Sequence, residues 1–353
     1  MEFNKEEFEK SFDEVFEQKS EEINSQLDRK ILITMVGDVN CGKSSTINKL
    51  MKEDIVSVGA KPGETIHIKE IPYKENIIFV DTPGLDDVVK ENTEVTLKYY
   101  KNSDVILFFL NAAGTVLSEN ELNNLKEIEK VSQEIIIVLN KIDAADDIPA
   151  LVKYIQDHTE YKYPVTPISS RTGENIIMLQ NKLLDVLEKK SKDIMFAMNL
   201  KEKASIANRW ILAAGVSSAA IGASPIPGSD FIPLIGVQVG LMLKLSTLYD
   251  KPISKENAKE LLIATVVGNA GKTIFRQIVK IVPGAGSIIG ASVAGATTVA
   301  LGYAIKYMHE NNIDLQVEHL KPIYEMLLKK EKEKEKQQNC DGDDNDDNNI
   351  TSV

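Results

Sequence analysis

With 353 residues, of which 43% are hydrophobic and 27% charged, the chain has apolar material for more than one core and is not a disordered polymer. Its formal net charge of −12 argues against a general nucleic-acid binder, and two cysteines, Cys41 and Cys340, exclude a disulfide framework. The acidic N-terminus lacks the order of a secretory leader, so a cytoplasmic location is expected, with peripheral membrane association kept open by features of the second half.

Residues 1–29 place Phe3, Phe8, Phe12, Val15, Phe16, Ile23 and Leu27 at helical spacing among glutamates and lysines. This predicts an amphipathic helix that packs its aromatic face on another part of the chain. Residues 31–36 are apolar and predict a buried strand, and residues 46–53 predict a helix. The loop between them has the pattern G-x-x-x-x-G-K-S, formed by Gly37, Asp38, Val39, Asn40, Cys41, Gly42, Lys43 and Ser44, with Ser45 following. A phosphate chain calls for this arrangement. Glycines let backbone N–H groups converge on an anion, and the helix that follows offers its positive end. Lys43 would reach the terminal phosphates and Ser44 would ligate Mg²⁺.

A short alternating strand is expected from residue 66, then strands at 76–80, 105–110, 134–139 and 163–168, set between helical stretches. Strands alternating with helices predict an α/β domain over residues 30–190, built on a doubly wound, mostly parallel sheet with its functional loops at the C-terminal strand ends. Asp81-Thr82-Pro83-Gly84 follows one strand; Asp81 would hold Mg²⁺ through water and Gly84 would face a γ-phosphate. Asn140-Lys141-Ile142-Asp143 follows another. The Asp143 carboxylate can accept from N1–H and the exocyclic amine of guanine, a donor pair that adenine lacks, and Lys141 would cover the ring. Ser169, Ser170 and Arg171 follow the last strand, where a backbone N–H can donate to guanine O6.

The series GDVNCGKSS, DTPG, NKID and SSRTGENI resembles the GTP-binding domain of Era-like GTPases, the translation-factor-related branch, over about residues 30–190. The resemblance implies GTP and GDP as ligands, Mg²⁺ as cofactor, and Thr65 as the switch threonine that joins Mg²⁺ when the γ-phosphate is present. It makes Lys43, Thr65, Gly84 and Asn40 the catalytic set. Leu85 stands where Ras-type GTPases carry a water-orienting glutamine, so slow unaided turnover is expected. Asn40 occupies a position whose asparagine helps bind K⁺ in several related GTPases; an asparagine serving only the turn of the loop is the alternative.

From residue 191 to 330 the composition shifts to Ala, Gly, Ser and Ile, which predicts an all-α domain of four helices, two of them very apolar. Gly286, Gly290, Ala294, Thr298 and Gly302 recur every fourth residue, and Gly236 and Gly240 repeat the pattern, a device for close helix approach in a membrane or in a tight bundle. Residues 204–308 carry nine Lys or Arg against four acids, a net +5 that suits an anionic surface. This half resembles an uncharacterised small-residue-rich helical domain that follows Era-like GTPase domains, through PIPGSD, LYDKPIS and IVPGAGS. Residues 331–353 read as a disordered acidic tail.

The expected protein is a regulatory GTPase whose nucleotide state controls the helical module. The partners expected besides the nucleotide are a membrane lipid or protein effector at residues 204–308, and a second copy in a nucleotide-dependent dimer; nucleic acid is not expected. A non-hydrolysing scaffold and a ribosome-assembly GTPase are the alternatives.

Overall fold

A computed structural model describes residues 5–56, 68–82, 93–222, 231–267 and 292–326. Thr65, Gly84, Leu85, the Pro225–Gly228 turn, Gly286, Gly290 and the tail at 331–353 lie outside these residues. The chain divides into two units, Ser25–Lys201 and a second one drawn from Met1–Asn24 together with Glu202–Val353.

In the first unit β1 (Ile31–Val36), β2 (Lys69–Tyr73), β3 (Ile77–Asp81), β4 (Val105–Asn111), β5 (Ile135–Asn140) and β6 (Val165–Pro167) form one sheet in the order β2-β3-β1-β4-β5-β6. All neighbours are parallel except β2, which pairs antiparallel with β3 in a hairpin, Lys69 opposite Asp81. The short strand expected from residue 66 is therefore an edge strand beginning at Lys69. The interior strands β4 and β5 are buried almost throughout, as strands covered by helices on both faces must be. α2 (Lys43–Met51), α3 (Thr93–Asn102), α4 (Glu119–Glu129), α5 (Ile148–His158) and α6 (Ile176–Lys189) supply that cover, followed by the short α7 (Asp193–Met198). Met35 pairs with Asp81 and Asn111 with Asn140, so β1 ends level with β3 and β4 with β5 at one edge, where β4 runs three residues past Phe108, the partner of Val36. Successive strands are added on opposite sides of β1 there, where such sheets carry their ligand crevice. At the opposite edge Lys192 Nζ lies 2.7 Å from both Asp104 carboxylate oxygens and donates to Lys30 O at 2.6 Å, while Leu32 N–H donates to Asp104 Oδ2 at 2.9 Å. This staple joins the chain's entry to the sheet with its exit.

In the second unit α1 (Lys5–Leu27) buries Phe8, Phe12 and Phe16, whose rings stack at 6.1 and 5.7 Å, together with Ile23. Asp13 pairs with Lys259 at 3.0 Å and Glu17 with Lys255 at 3.0 Å, on α10 (Lys255–Val267). Each ring is worth about 1.5–3 kcal/mol of burial, and each half-exposed pair about 0–1 kcal/mol, so the aromatic face holds the helix and the charges set its register. α8 (Lys203–Gly222), α9 (Phe231–Leu248) and α11 (Val293–Glu310) pack together. A Cβ on Gly302 would stand 2.7 Å from Ile211 Cγ1 and 3.0 Å from Leu241 Cδ2, and one on Gly222 would stand 2.8 Å from Ala294 Cβ. The small-residue spacing at 294, 298 and 302 thus serves close contact inside the bundle. Gly236 and Gly240 do not repeat it: among the described residues a Cβ at Gly236 meets nothing within 4 Å, and at Gly240 only the Lys19 stem at 3.8 Å. Within this core Gln238 Nε2 donates to Thr298 Oγ1 at 2.9 Å, and Thr298 Oγ1 lies 2.9 Å from Ser218 Oγ. Among the described residues no helix is long and apolar enough to cross a membrane.

Candidate functional site

Gly37 and Gly42 adopt backbone angles that side chains disfavour, with φ of +149° and +98°. Both also touch something a Cβ would strike. At Gly37 it would lie 2.7 Å from Phe109 O, and at Gly42 2.1 Å from Asn140 Nδ2. Gly42 caps α2, so the helix begins directly behind the loop with its N–H groups facing the crevice. Lys43 Nζ folds over the loop, donating to Gly37 O at 2.8 Å and Asp38 O at 3.1 Å, and stands 3.9 Å from Asp81 Oδ1. Ser44 and Ser45 follow on the first turn of α2, while Asp38, Val39 and Asn40 form an exposed apex, Asn40 in the left-handed region with φ +64°. Cys41 points inward, and burial pushes its thiol up to about 11, which makes it a packing residue rather than a nucleophile.

The loops after β5 and β6 meet this loop through Asn140. The Asn140 side chain is fully buried; Nδ2 donates to Cys41 O at 2.7 Å and lies 3.1 Å from Ser170 Oγ, and Oδ1 accepts from Ser170 N–H at 3.0 Å. Asp143 Oδ1 accepts from Ser169 Oγ at 2.6 Å, and Oδ2 lies 3.2 Å from the exposed Arg171 guanidinium. The Ser169 hydroxyl first, and the charge of Arg171 after it, hold the Asp143 carboxyl below the usual carboxylate range. Lys141 sits between Asn140 and Asp143 in a left-handed turn, φ +66°. Ser169 Oγ in turn accepts from Thr172 N–H at 3.0 Å, which closes the last loop.

Asp81 ends β3 beside the loop. Its Oδ1 is buried without a hydrogen-bond partner, and burial raises its pKa despite Lys43 nearby. Such an atom costs free energy unless something cationic or donating comes to it. Thr82 fixes the strand end by donating from Oγ1 to Met35 O at 2.9 Å. The described residues hold no cluster of three or more His, Cys, Asp or Glu suited to a metal, so a cation here would rest on Asp81, Ser44 and the ligand's own oxygens.

Residues 32–141 match the family described as "50S ribosome-binding GTPase". Era from Aquifex aeolicus is 29% identical over 169 residues, covering 44% of this chain and 56% of that protein. The α/β unit is an Era-like P-loop GTPase domain. Der from Nautilia profundicola is 32% identical over 194 residues, 51% of this chain and 40% of that protein. A solved structure of Era in complex with MgGDPNP and nucleotides 1506–1542 of 16S ribosomal RNA is 27% identical, covering 45% of this chain and 57% of that one with a TM-score of 0.37. The chain spans about half the length of the curated relatives it matches.

The GTPase domain thus brings residues 37–45, Asp81, Asn140, Lys141, Asp143 and 169–171 to one sheet edge. Three contributors had no role of their own in the motifs, Thr82 lying inside Asp81-Thr82-Pro83-Gly84 and the other two outside any motif. Thr82 ties β3 to β1, Gln180 on α6 donates to Leu50 O at 2.9 Å, and Asn48 sits on the buried side of α2. For the last the signal was available, since an asparagine between Ile47 and Leu50 on an apolar helix face needs buried partners.

Gly42→Ala is expected to open the contact with Asn140. Strain at positive φ plus the clash should cost about 1–3 kcal/mol, read as a thermal midpoint lower by roughly 3–10 °C with weakened nucleotide binding.

Proposed function

We propose that the chain is a Mg²⁺-dependent GTP-hydrolysing switch whose nucleotide state acts on the helical unit. The tie made by Asn140 carries this reading: one buried amide fastens the phosphate loop to the two loops that would read guanine, so base and phosphates are recognised as one ligand. Asp143, kept ionised by Ser169 and Arg171, would accept the two guanine donors while Lys141 covers the ring. Lys43 would exchange loop carbonyls for β- and γ-phosphate oxygens. Ser44 directly, and through water the Asp81 carboxylate, whose Oδ1 has no hydrogen-bond partner, fit Mg²⁺, which would neutralise charge on the transferring phosphoryl group. Thr65 would complete that shell and Gly84 N–H would face the γ-phosphate. With Leu85 unable to orient water, Asn40 would help a K⁺ ion stand beside the phosphates.

Single-turnover GTP hydrolysis by the full chain in KCl and in NaCl at matched ionic strength tests this. Turnover is expected in both and faster in K⁺. Bound GTP that releases no phosphate would leave a GTP-dependent scaffold, and equal rates would remove the role of K⁺. A ribosomal target is the second reading, favoured by the description of the family that residues 32–141 match. A lipid surface or protein effector at residues 204–308 is the output drawn from that unit's charge; cell fractionation in the GTP- and GDP-loaded states separates these targets.

A further inference from the structure

Thr82 leaves β3 directly after Asp81 and is fully buried. Its backbone and its side chain converge on one acceptor: Met35 O takes a bond from Thr82 N–H at 3.3 Å and a second from Thr82 Oγ1 at 2.9 Å. Met35 is the ladder partner of Asp81 and stands two residues before Gly37. The end of β3 is thus clamped to the strand that feeds the phosphate loop, one residue away from a carboxylate that faces that loop. Asp81 Oδ1 is buried without a hydrogen-bond partner and lies 3.9 Å from Nζ of Lys43, the neighbour of Ser44. The ladder between β1 and β3 asks only for the backbone bond. The hydroxyl is an addition to it, made at the level of the site.

We infer that Thr82 is a positioning residue for Mg²⁺: its hydroxyl fixes the Asp81 carboxylate at the separation from Ser44 that the ion requires. The inference rests on the GTPase reading and deepens it. Mg²⁺ tolerates little departure from octahedral geometry, and an outer residue that orients a ligand group is typically worth about 10- to 100-fold in metal affinity. Asp81 would act on the nucleotide only through the ion, whereas Lys43 and the loop N–H groups would bind phosphate directly. Loss of the Thr82 hydroxyl therefore falls on the Mg²⁺-dependent part of nucleotide binding. A role confined to holding two strands together would loosen the loop as well, and would weaken binding with and without the ion alike.

The test is release of a fluorescent non-hydrolysable GTP analogue from the full chain, followed over a series of free Mg²⁺ concentrations and in EDTA, for wild type, Thr82→Val and Thr82→Ser. Valine keeps the shape of threonine and leaves Met35 O bonded to the backbone N–H, so no buried acceptor is orphaned and the fold is expected to survive. For Thr82→Val the expected result is release in EDTA within about threefold of wild type and a half-saturating Mg²⁺ concentration higher by roughly tenfold. Thr82→Ser restores the hydroxyl and is expected to match wild type on both readings. An unchanged Mg²⁺ midpoint in Thr82→Val, release quickened by the same factor with and without Mg²⁺, or a Thr82→Ser as impaired as Thr82→Val would overturn the inference. If Thr82→Val does not fold, Thr82→Ala is judged by the same two readings. Absence of analogue binding by the wild type would overturn the GTPase reading itself, an outcome distinct from a wild type that responds to Mg²⁺ and a variant that matches it.

Discussion

Lys43→Ala is expected to lower affinity for Mg²⁺-GTP by two orders of magnitude or more. In the proposed complex the ammonium would give two charge-assisted bonds to phosphate, each worth about 1.5–3 kcal/mol, and about 1.4 kcal/mol is tenfold in affinity. The same side chain donates to Gly37 O and Asp38 O, so the variant also loosens the loop itself. Ser44→Ala separates the two effects, since it removes one hydroxyl without disturbing those bonds. Its penalty should be large in Mg²⁺ and vanish in EDTA, because the hydroxyl acts through the metal. Titration with fluorescent GTP, with and without Mg²⁺, reads both. Wild-type affinity in either variant would reduce the loop to a glycine turn.

Asp143→Asn is expected to move base preference from guanine toward xanthine. The amide oxygen would still accept from N1–H, but the amide nitrogen would present a donor to the exocyclic amine, and one mismatched donor at about 1–3 kcal/mol amounts to roughly 5- to 150-fold weaker GTP binding. Xanthine, which carries an oxygen in place of the exocyclic amine, restores the match. The fold should survive the change: the amide oxygen can still accept from Ser169 Oγ, and the pair lost with Arg171 is exposed and worth little. Competition between GTP and xanthosine triphosphate measures the shift. Unchanged selectivity for GTP would remove the base-reading role from this residue.

The sheet was legible because buried parallel strands are written as uninterrupted apolar runs, as in 105–110 and 134–139, and the loops at their ends carry chemistry that punctuates the pattern. β2 was placed imprecisely, since an edge strand with Lys69, Glu70 and Pro72 has little apolar signal and its pairing is set by β3. The tie made by Asn140 to Cys41 and Ser170 was not legible, because a residue joining loops about 100 and 30 positions away leaves no local pattern. At Gly236 and Gly240 no helix stands closely against the glycines among the described residues, because spacing marks where a helix can approach, not whether one does. Asn48 escaped notice for the opposite reason, its partners Ile55 and Val56 being close in sequence yet in no regular element.

The helical unit is assembled from both ends of the chain, with the GTPase domain inserted between Asn24 and Glu202. During synthesis α1 therefore emerges long before anything it can bury its rings against. From Phe16 to Lys255 the ribosome adds some 240 residues, which at about 5–20 residues per second takes roughly 12–50 s. For that interval Phe8, Phe12 and Phe16 form an uncovered aromatic strip on a nascent chain whose GTPase domain can already fold. Chaperone demand should accordingly concentrate on α1, and a fragment starting at Ser25 and ending at Lys201 should be recovered from cells more cleanly than one that keeps α1 and lacks α10.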